Sequence, residues 1–136
     1  MNINAIENLI INRLKSAFHD VLVEGFPDKP SEFVLLHPTG ALLVHYQGSN
    51  YSNTNSLACV TQETKQEFAI TIVTRNLRSN DGAYQYLDKI KKVLTGYSFP
   101  QCTPLIPTKD YFISENSGIW QYGINFSLTT QNVQNY

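Results

Sequence analysis

Residues 119–129 restrict the fold more than any other part of the chain, because their side chains alternate strictly between two kinds. One set is large and apolar and consists of Trp120, Tyr122, Ile124, Phe126 and Leu128. The intervening set is small or polar and consists of Gln121, Gly123, Asn125, Ser127 and Thr129. A period of two is typical of a strand with one buried face. We therefore interpret the aromatic residues of this strand as core residues that another layer covers, rather than as a platform for stacking a ligand.

Two amphipathic helices are predicted, and they are the available cover for that face. Residues 3–18 carry apolar side chains at helical spacing, with Asn2 or Asn4 as the candidate N-cap. A second helix starts after Asn80 or Asp81, either of which can cap it. Each helix is apolar on one side only, so each can bury that side against a sheet.

Further strands are predicted from short apolar or alternating runs that turn residues bound. They are residues 33–36, 40–46, 67–75 and 111–114. The third run alternates in β-branched residues and is predicted to be the central strand, and the fourth joins the strand that begins at Ile119 through a turn at 116–118. Residues 25–30 and 48–56 are predicted loops, the second of them mobile and suited to binding.

These elements predict an α+β fold, a two-layer sandwich with a largely antiparallel sheet and both helices packed on one face. A chain of 136 residues, 42% of them hydrophobic, fits one domain. We assign residues 1–130 to that domain and residues 131–136 to a polar C-terminal tail.

Charge and the N-terminal sequence argue against binding to nucleic acid or membranes and against secretion. The net charge is −1 and charged residues make up 15% of the chain, so no strong field attracts nucleic acid or an anionic membrane. The N-terminus lacks the basic and apolar regions of a secretory signal, and no apolar run has the ~20 residues that cross a bilayer. We therefore expect a cytoplasmic protein in which Cys59 and Cys102 are reduced.

The sequence contains no motif for catalysis, metal binding or nucleotide binding. The three histidines, His19, His37 and His45, are not spaced as a set of metal ligands, and the acidic residues are scattered. We therefore expect no catalytic residue, no metal site and no cofactor, and we predict that the protein is not an enzyme. Arg75 and Arg78 follow the central strand, where they can bind a neighbour's carboxylates or cap their own loop.

Several short motifs stand in a definite order in the C-terminal half of the chain. They are residues 67–75, Asn76-Leu77-Arg78, Gly82-Ala83-Tyr84, Leu94-Thr95-Gly96, Pro104-Leu105 with Pro107, residues 110–113 and residues 118–122. In their joint order and spacing these motifs resemble those of the Mu-like phage tail-terminator family, which is related to the lambda-type tail terminators. The first helix and Gly25-Phe26-Pro27 extend the likeness to nearly the whole chain, and residues 33–66 match least.

The resemblance implies a phage or prophage structural protein that assembles into a ring, expected to be a hexamer. The ring binds the open end of a completed tail tube, stops further polymerisation, and provides a surface for the neck or head-completion proteins. Its expected partners are other copies of itself, the tail tube protein and the neck proteins. Its expected location is the host cytoplasm during assembly and the virion tail afterwards.

A ring requires side-to-side contacts between different surfaces of neighbouring copies, and such contacts favour loops and sheet edges. We expect the contacts with other subunits or with the tube in the loops at 25–30 and 47–66 and in the corner at 75–80. The interface candidates are Phe26, Tyr51, Arg75, Arg78 and Asn80.

Two other classes of function stay open at the level of sequence. A head–tail connector or adaptor would have a similar size, and binding to the neck or head instead of the tube would identify it. A small-ligand-binding α+β domain or an enzyme would require a pocket with converging titratable groups, because the fold alone does not decide function.

Overall fold

Five strands and two helices are present in the part of the chain that the computed structural model describes. That part comprises residues 2–29, 35, 37–52 and 59–135, and for 59–61 and 131–135 it comprises the backbone alone. The elements are α1 (Ile3–Ala17), β1 (Leu22–Gly25), β2 (Gly40–Tyr51), β3 (Cys59–Thr74), α2 (Ala83–Leu94), β4 (Ile106–Asn116) and β5 (Ile119–Asn135). The predicted strand at 33–36 lies outside the described residues, except for Leu35.

The strands form one open sheet in the order β1-β2-β3-β5-β4. β1 pairs with β2 in parallel, and the other three pairings are antiparallel. β3 lies at the centre, as its alternating sequence predicts. β1 and β4 are the two edges.

Both helices pack on the same face of this sheet. α1 lies against β1 and β2, and α2 lies against β3 and β5. The centre of the shared core is fully buried and includes Ile6, Ile10, Leu14, Leu42, Ile70, Ile90, Leu94, Ile124 and Phe126. Burial of each such side chain contributes about 1.5–3 kcal/mol. The predicted α+β fold is confirmed, and the apolar face of β5 is the face that the helices cover.

The two helices begin in different ways. Asn2 is the N-cap of α1, and its side chain accepts a hydrogen bond from Ala5 N at 2.7 Å. The predicted cap of α2 is wrong, because Gly82 is the N-cap and makes no side-chain hydrogen bond to the helix. Asp81 instead accepts hydrogen bonds from Asn76 and Ser79 in the preceding turn. Neither helix combines the length and the apolar character that crossing a bilayer demands.

The hairpin between β4 and β5 forms at the predicted turn. Ser117 has φ 52° and Gly118 has φ 82°, as a two-residue turn of the primed type requires. Glu115 Oε2 accepts a hydrogen bond from Gly118 N at 2.7 Å. β4 is longer than predicted, since it starts at Ile106 and includes Pro107. A proline is tolerated there because β4 is an edge strand.

The strands continue well beyond the last core residues, Phe68 on β3 and Leu128 on β5. We call this part the extension; it consists of residues 48–51 of β2, 59–66 of β3 and 129–135 of β5. The loop predicted at 48–56 is wrong for 48–51, which are strand residues, and 53–56 lie outside the described residues. Residues 131–135, assigned to a tail from the sequence, continue the ladder of β5 with β3.

A second, smaller cluster lies on the face opposite the helices. Leu35 packs there against Ala41, Leu43 and Val73, and Phe26 and Ile119 flank them. Further along this face the ring of Tyr111 lies over Gly123, its partner in the β4–β5 ladder. Among the described residues, Leu35, Phe26 and the ring of Tyr111 cover parts of this face, and both helices lie on the other face.

Candidate interaction surfaces

The chain turns tightly between β3 and α2, in the corner at residues 75–82. A Cβ on Gly82 would lie 2.6 Å from the backbone carbonyl of Leu77, so no larger residue fits without a shift of the backbone. Thr74 Oγ1 donates a hydrogen bond to Asn76 O at 2.7 Å and fixes the start of the turn. Asn80 is exposed on its surface.

The two arginines of this corner contact their own chain. Arg75 Nη2 donates a hydrogen bond to Leu35 O at 3.1 Å. The guanidinium carbon of Arg78 lies 5.8 Å from the ring centroid of Tyr84. Arg75 thus has the local role that the sequence left open, and binding of a neighbour's carboxylate by either arginine stays a prediction.

Four aromatic side chains form a row from the start of α2 across β5 to β4, and we call them the aromatic row. The ring centroids of Tyr84 and Tyr122 are 6.1 Å apart, those of Tyr122 and Phe112 5.5 Å, and those of Phe112 and Trp120 6.3 Å. Tyr84 is 41% exposed and Phe112 is 55% exposed. Such aromatic sets with an adjacent arginine are typical of protein–protein contacts.

Trp120 belongs to this row and not to the main core. It is only partly buried, and it packs edge-on against Phe112. The core role predicted for Trp120 is therefore wrong, whereas Phe126 is fully buried in the core. The row escaped the sequence analysis because its members come from three elements that only the fold brings together.

β4 exposes apolar side chains along an edge that no strand pairs with in the described part of the chain. Ile106 is 58% exposed and Ile113 is 41% exposed, in addition to Phe112. An unpaired edge with apolar side chains is a surface to which a second polypeptide can add. The consecutive pair Phe112-Ile113, which breaks the alternation of the strand, is the one sequence signal that could have indicated it.

The helix-side face of the extension is polar and uncharged. Ser49 pairs with Gln66, and Tyr51 pairs with Thr64, so these four side chains share that face. Tyr51 is 62% exposed. Thr64 and Gln66 are buried, and the Thr64 hydroxyl and Gln66 Oε1 have no hydrogen-bond partner. Leaving such a group unpaired costs about 1–3 kcal/mol.

Phe26 lies at one edge of the sheet, directly after β1. Its backbone N–H donates to Val44 O at 2.8 Å, and its ring packs edge-on against His45 with centroids 5.1 Å apart. Burial lowers the pKa of His45, and its Nδ1 has no hydrogen-bond partner. Phe26 therefore covers a partly buried histidine, and burial favours the neutral form of its ring.

Two shallow depressions lie in the described part of the chain. One, of about 270 Å³, is lined by polar residues at the bulge of β2, including Gln47, Lys65 and Glu67. The other, of about 300 Å³, lies between α1 and residues 97–100. Among the side chains that the structure describes, histidine, cysteine, aspartate and glutamate form no group of three that could hold a metal ion.

The five interface candidates from the sequence do not form one surface. Arg75, Arg78 and Asn80 lie in the corner at one end of β3, and Tyr51 pairs with Thr64 near the other end of that strand. Phe26 lies between them, beside Val44. The structure thus divides them among the corner, the extension and the end of the edge strand β1, and only Arg78 of the five adjoins the aromatic row.

Comparison with known proteins supplies the family. A search of curated proteins found no matching relative. The family model described as Gp37 protein matches residues 10–136, which include every strand of the sheet and most of α1. The chain therefore belongs to the Gp37 protein family, a family of phage-related proteins.

Proposed function

We propose that this protein is a phage tail terminator, which closes into a ring on the end of the tail tube, stops tube polymerisation and offers a surface to the neck proteins. Membership of a phage-related family supports this role, as does the order of motifs between residues 67 and 122. The proposed action is steric, since a closed ring occupies the exposed interface of the tube without regenerating an identical one. We propose no enzymatic activity.

The observation that carries the proposal is the extension. In the described part of the chain its outermost portion is a two-stranded ribbon, in which residues 59–63 pair with residues 131–135. Two-stranded ribbons are marginally stable in water unless something packs on them. A protein surface that packs on the extension would therefore stabilise the ribbon.

We assign the extension to the contact with the tube. Its helix-side face has no charged side chain among the residues whose side chains are described, so a partner can cover it without burying an unpaired charge. The exposed ring of Tyr51 would add an apolar contact at the rim of this face.

The first experiment measures capping directly. The purified protein is mixed with tail tubes, the mass of the protein alone and in the mixture is measured by light scattering, and tube ends are imaged by negative stain. A ring at one end of each tube and an arrest of tube growth are expected. Binding to neck or head particles without binding to tubes would replace the terminator role by that of a connector.

A Tyr51→Ala variant separates a partner contact from a structural role. Tyr51 is 62% exposed, so the isolated protein should be nearly as stable as the parent. If the ring packs on the tube, capping should weaken by roughly 5- to 10-fold. Thr95→Ala, at an exposed threonine after α2, is the matched control and should change neither property. Full capping by Tyr51→Ala would remove this residue from the contact.

A further inference from the structure

We infer that neighbouring copies in the ring join by their sheet edges, with β4 of one copy pairing antiparallel to β1 of the next. This inference rests on the proposed function, because it concerns the ring that the terminator forms. It assigns the aromatic row and the exposed edge of β4 to a second copy of this chain, and it leaves the extension free for the tube.

The directions of the strands decide how two edges can meet. β1 runs parallel to β2, β2 runs antiparallel to β3, β3 to β5 and β5 to β4, so β1 and β4 run in opposite directions within one sheet. A second copy placed beside β4 in the same orientation, with its helices on the same face, presents its β1 antiparallel to β4. Antiparallel pairing is also slightly more stable per residue than parallel pairing.

The two edges differ, so their contact is heterologous. Heterologous contacts link copies head to tail and close into a ring when the rotation between copies allows it. An isologous contact of β4 with β4 would stop at a dimer. One open sheet with two unlike edges therefore fits a ring of several copies better than a dimer.

Both edges carry exposed apolar side chains. On β4 these are Ile106, Phe112 and Ile113, and on β1 Leu22 is 37% exposed. Two of the three charged residues of β4, which could otherwise protect this edge, have partners within the chain. Asp110 Oδ2 lies 3.0 Å from Lys91 Nζ, and Glu115 binds the N–H of Gly118.

Each edge carries a charged side chain without a salt bridge in the described part of the chain, and the two charges are opposite, which points to a second copy as the occupant. On β1 this residue is Glu24, in a segment whose residues 20–29 hold three carboxylates and one lysine. On β4 it is Lys109, whose ammonium lies 5.3 Å from the ring centroid of Tyr111.

Two of these charges also lie on the same side of the sheet. Glu24 pairs with Leu43, which belongs to the cluster opposite the helices. Lys109 pairs with Asn125 and precedes Tyr111, which lies over Gly123 on that same face. Antiparallel addition of β1 to β4 would bring Glu24 and Lys109 to one face of the joined sheet, where opposite charges in neighbouring strands stabilise the pairing.

Charge reversal tests the pairing. Lys109→Glu alone and Glu24→Lys alone should each weaken self-association in the presence of tubes by about 10-fold or more, because each places like charges together. The chain that carries both changes should recover association, since each contact again joins opposite charges. Lys92→Glu, at an exposed lysine of α2, is the matched control and should associate like the parent. Failure of the double variant to recover would overturn the pairing of these two residues.

Crosslinking tests the edges themselves, in a background with Cys59→Ser and Cys102→Ser. Leu22→Cys lies on β1 and Ser114→Cys lies on β4, and a short bis-maleimide should join them only when the two variants are mixed. A chain with both cysteines should give a ladder of products that ends at the ring. Products from Ser114→Cys alone would show a β4–β4 contact and overturn the inference.

The outcomes for the ring and for the terminator role can be told apart. Rings that cap tubes but give no crosslink between residues 22 and 114 would overturn the edge pairing and leave the terminator role standing. Crosslinked rings that ignore tubes would support the edge pairing and overturn the terminator role. A chain that stays monomeric with and without tubes would overturn both.

Discussion

Gly123 lies directly beneath the ring of Tyr111, its cross-strand partner between β4 and β5. A Cβ on residue 123 would be 2.5 Å from Cε2 of that ring. The ring is held in place by a hydrogen bond of 2.8 Å from the Tyr111 hydroxyl to Asn125 Oδ1. A tyrosine on an edge strand thus covers a glycine that would otherwise leave the sheet bare on the face opposite the helices.

Gly123→Ala should destabilise the protein by about 1–3 kcal/mol, because the ring must move and its hydrogen bond to Asn125 must break. Chemical denaturation measures this change in the free energy of unfolding. The control is a double-mutant cycle with Tyr111→Ala, in which the added methyl group meets no ring. An equal cost of Gly123→Ala in both backgrounds would contradict the contact.

Gly82→Ala should also destabilise by about 1–3 kcal/mol or more, because the new Cβ meets the backbone of Leu77 and not the end of a side chain. No second substitution of a side chain should relieve this cost. Asn80→Ala, on the same corner but exposed, is the control and should stay within about 0.5 kcal/mol of the parent. Thermal and chemical denaturation of the three proteins compare them.

Tyr86 joins α2 to the connection between α1 and β1, since its hydroxyl donates a hydrogen bond of 3.0 Å to Asp20 Oδ2. Tyr86→Phe should cost about 1–2 kcal/mol at neutral pH. Burial, together with the Asp20 carboxylate, raises the pKa of Tyr86 above its ordinary value of 10.0. The folded state therefore keeps this proton while the unfolded chain loses it, and stability falls as the pH rises above 10.

The same substitution should therefore reduce the alkaline loss of stability, because phenylalanine has no proton to lose. Unfolding free energies measured between pH 9 and pH 11 test this. The substitution Tyr97→Phe, at an exposed tyrosine, serves as the control. An alkaline slope that is unchanged in Tyr86→Phe would sink the assignment.

His45 should make the protein sensitive to acid. Burial lowers its pKa below the ordinary 6.5, so the unfolded chain binds the proton before the folded protein does. The free energy of unfolding is thus expected to fall as the pH decreases below 6.5 and to level off once the folded protein is also protonated. His45→Gln should remove this part of the fall, and His19→Gln, at an exposed position, is the matched control. The free energy of unfolding of both variants and the parent is measured by denaturation at several values between pH 5 and pH 7.

The sequence alone determined the elements whose residues are buried on one side. The spacing of Ile6, Ile10 and Leu14 fixed α1, and the alternation about Ile70 and Ile124 fixed the two central strands. Asn2 and Gly118 marked a helix start and a turn by their own backbone chemistry. Each of these signals is local, because a one-sided burial pattern has the period of the element that carries it.

The tertiary structure decided the features that depend on partners distant in the chain. The polar sequence of residues 48–51 predicts a loop, yet they are strand residues because β3 pairs with their backbone. The parallel placement of β1, the two unlike sheet edges and the aromatic row likewise follow from strand order and not from any local pattern. Backbone pairing satisfies donors and acceptors whatever the side chains are, so a sequence without an apolar face gives no sign of it.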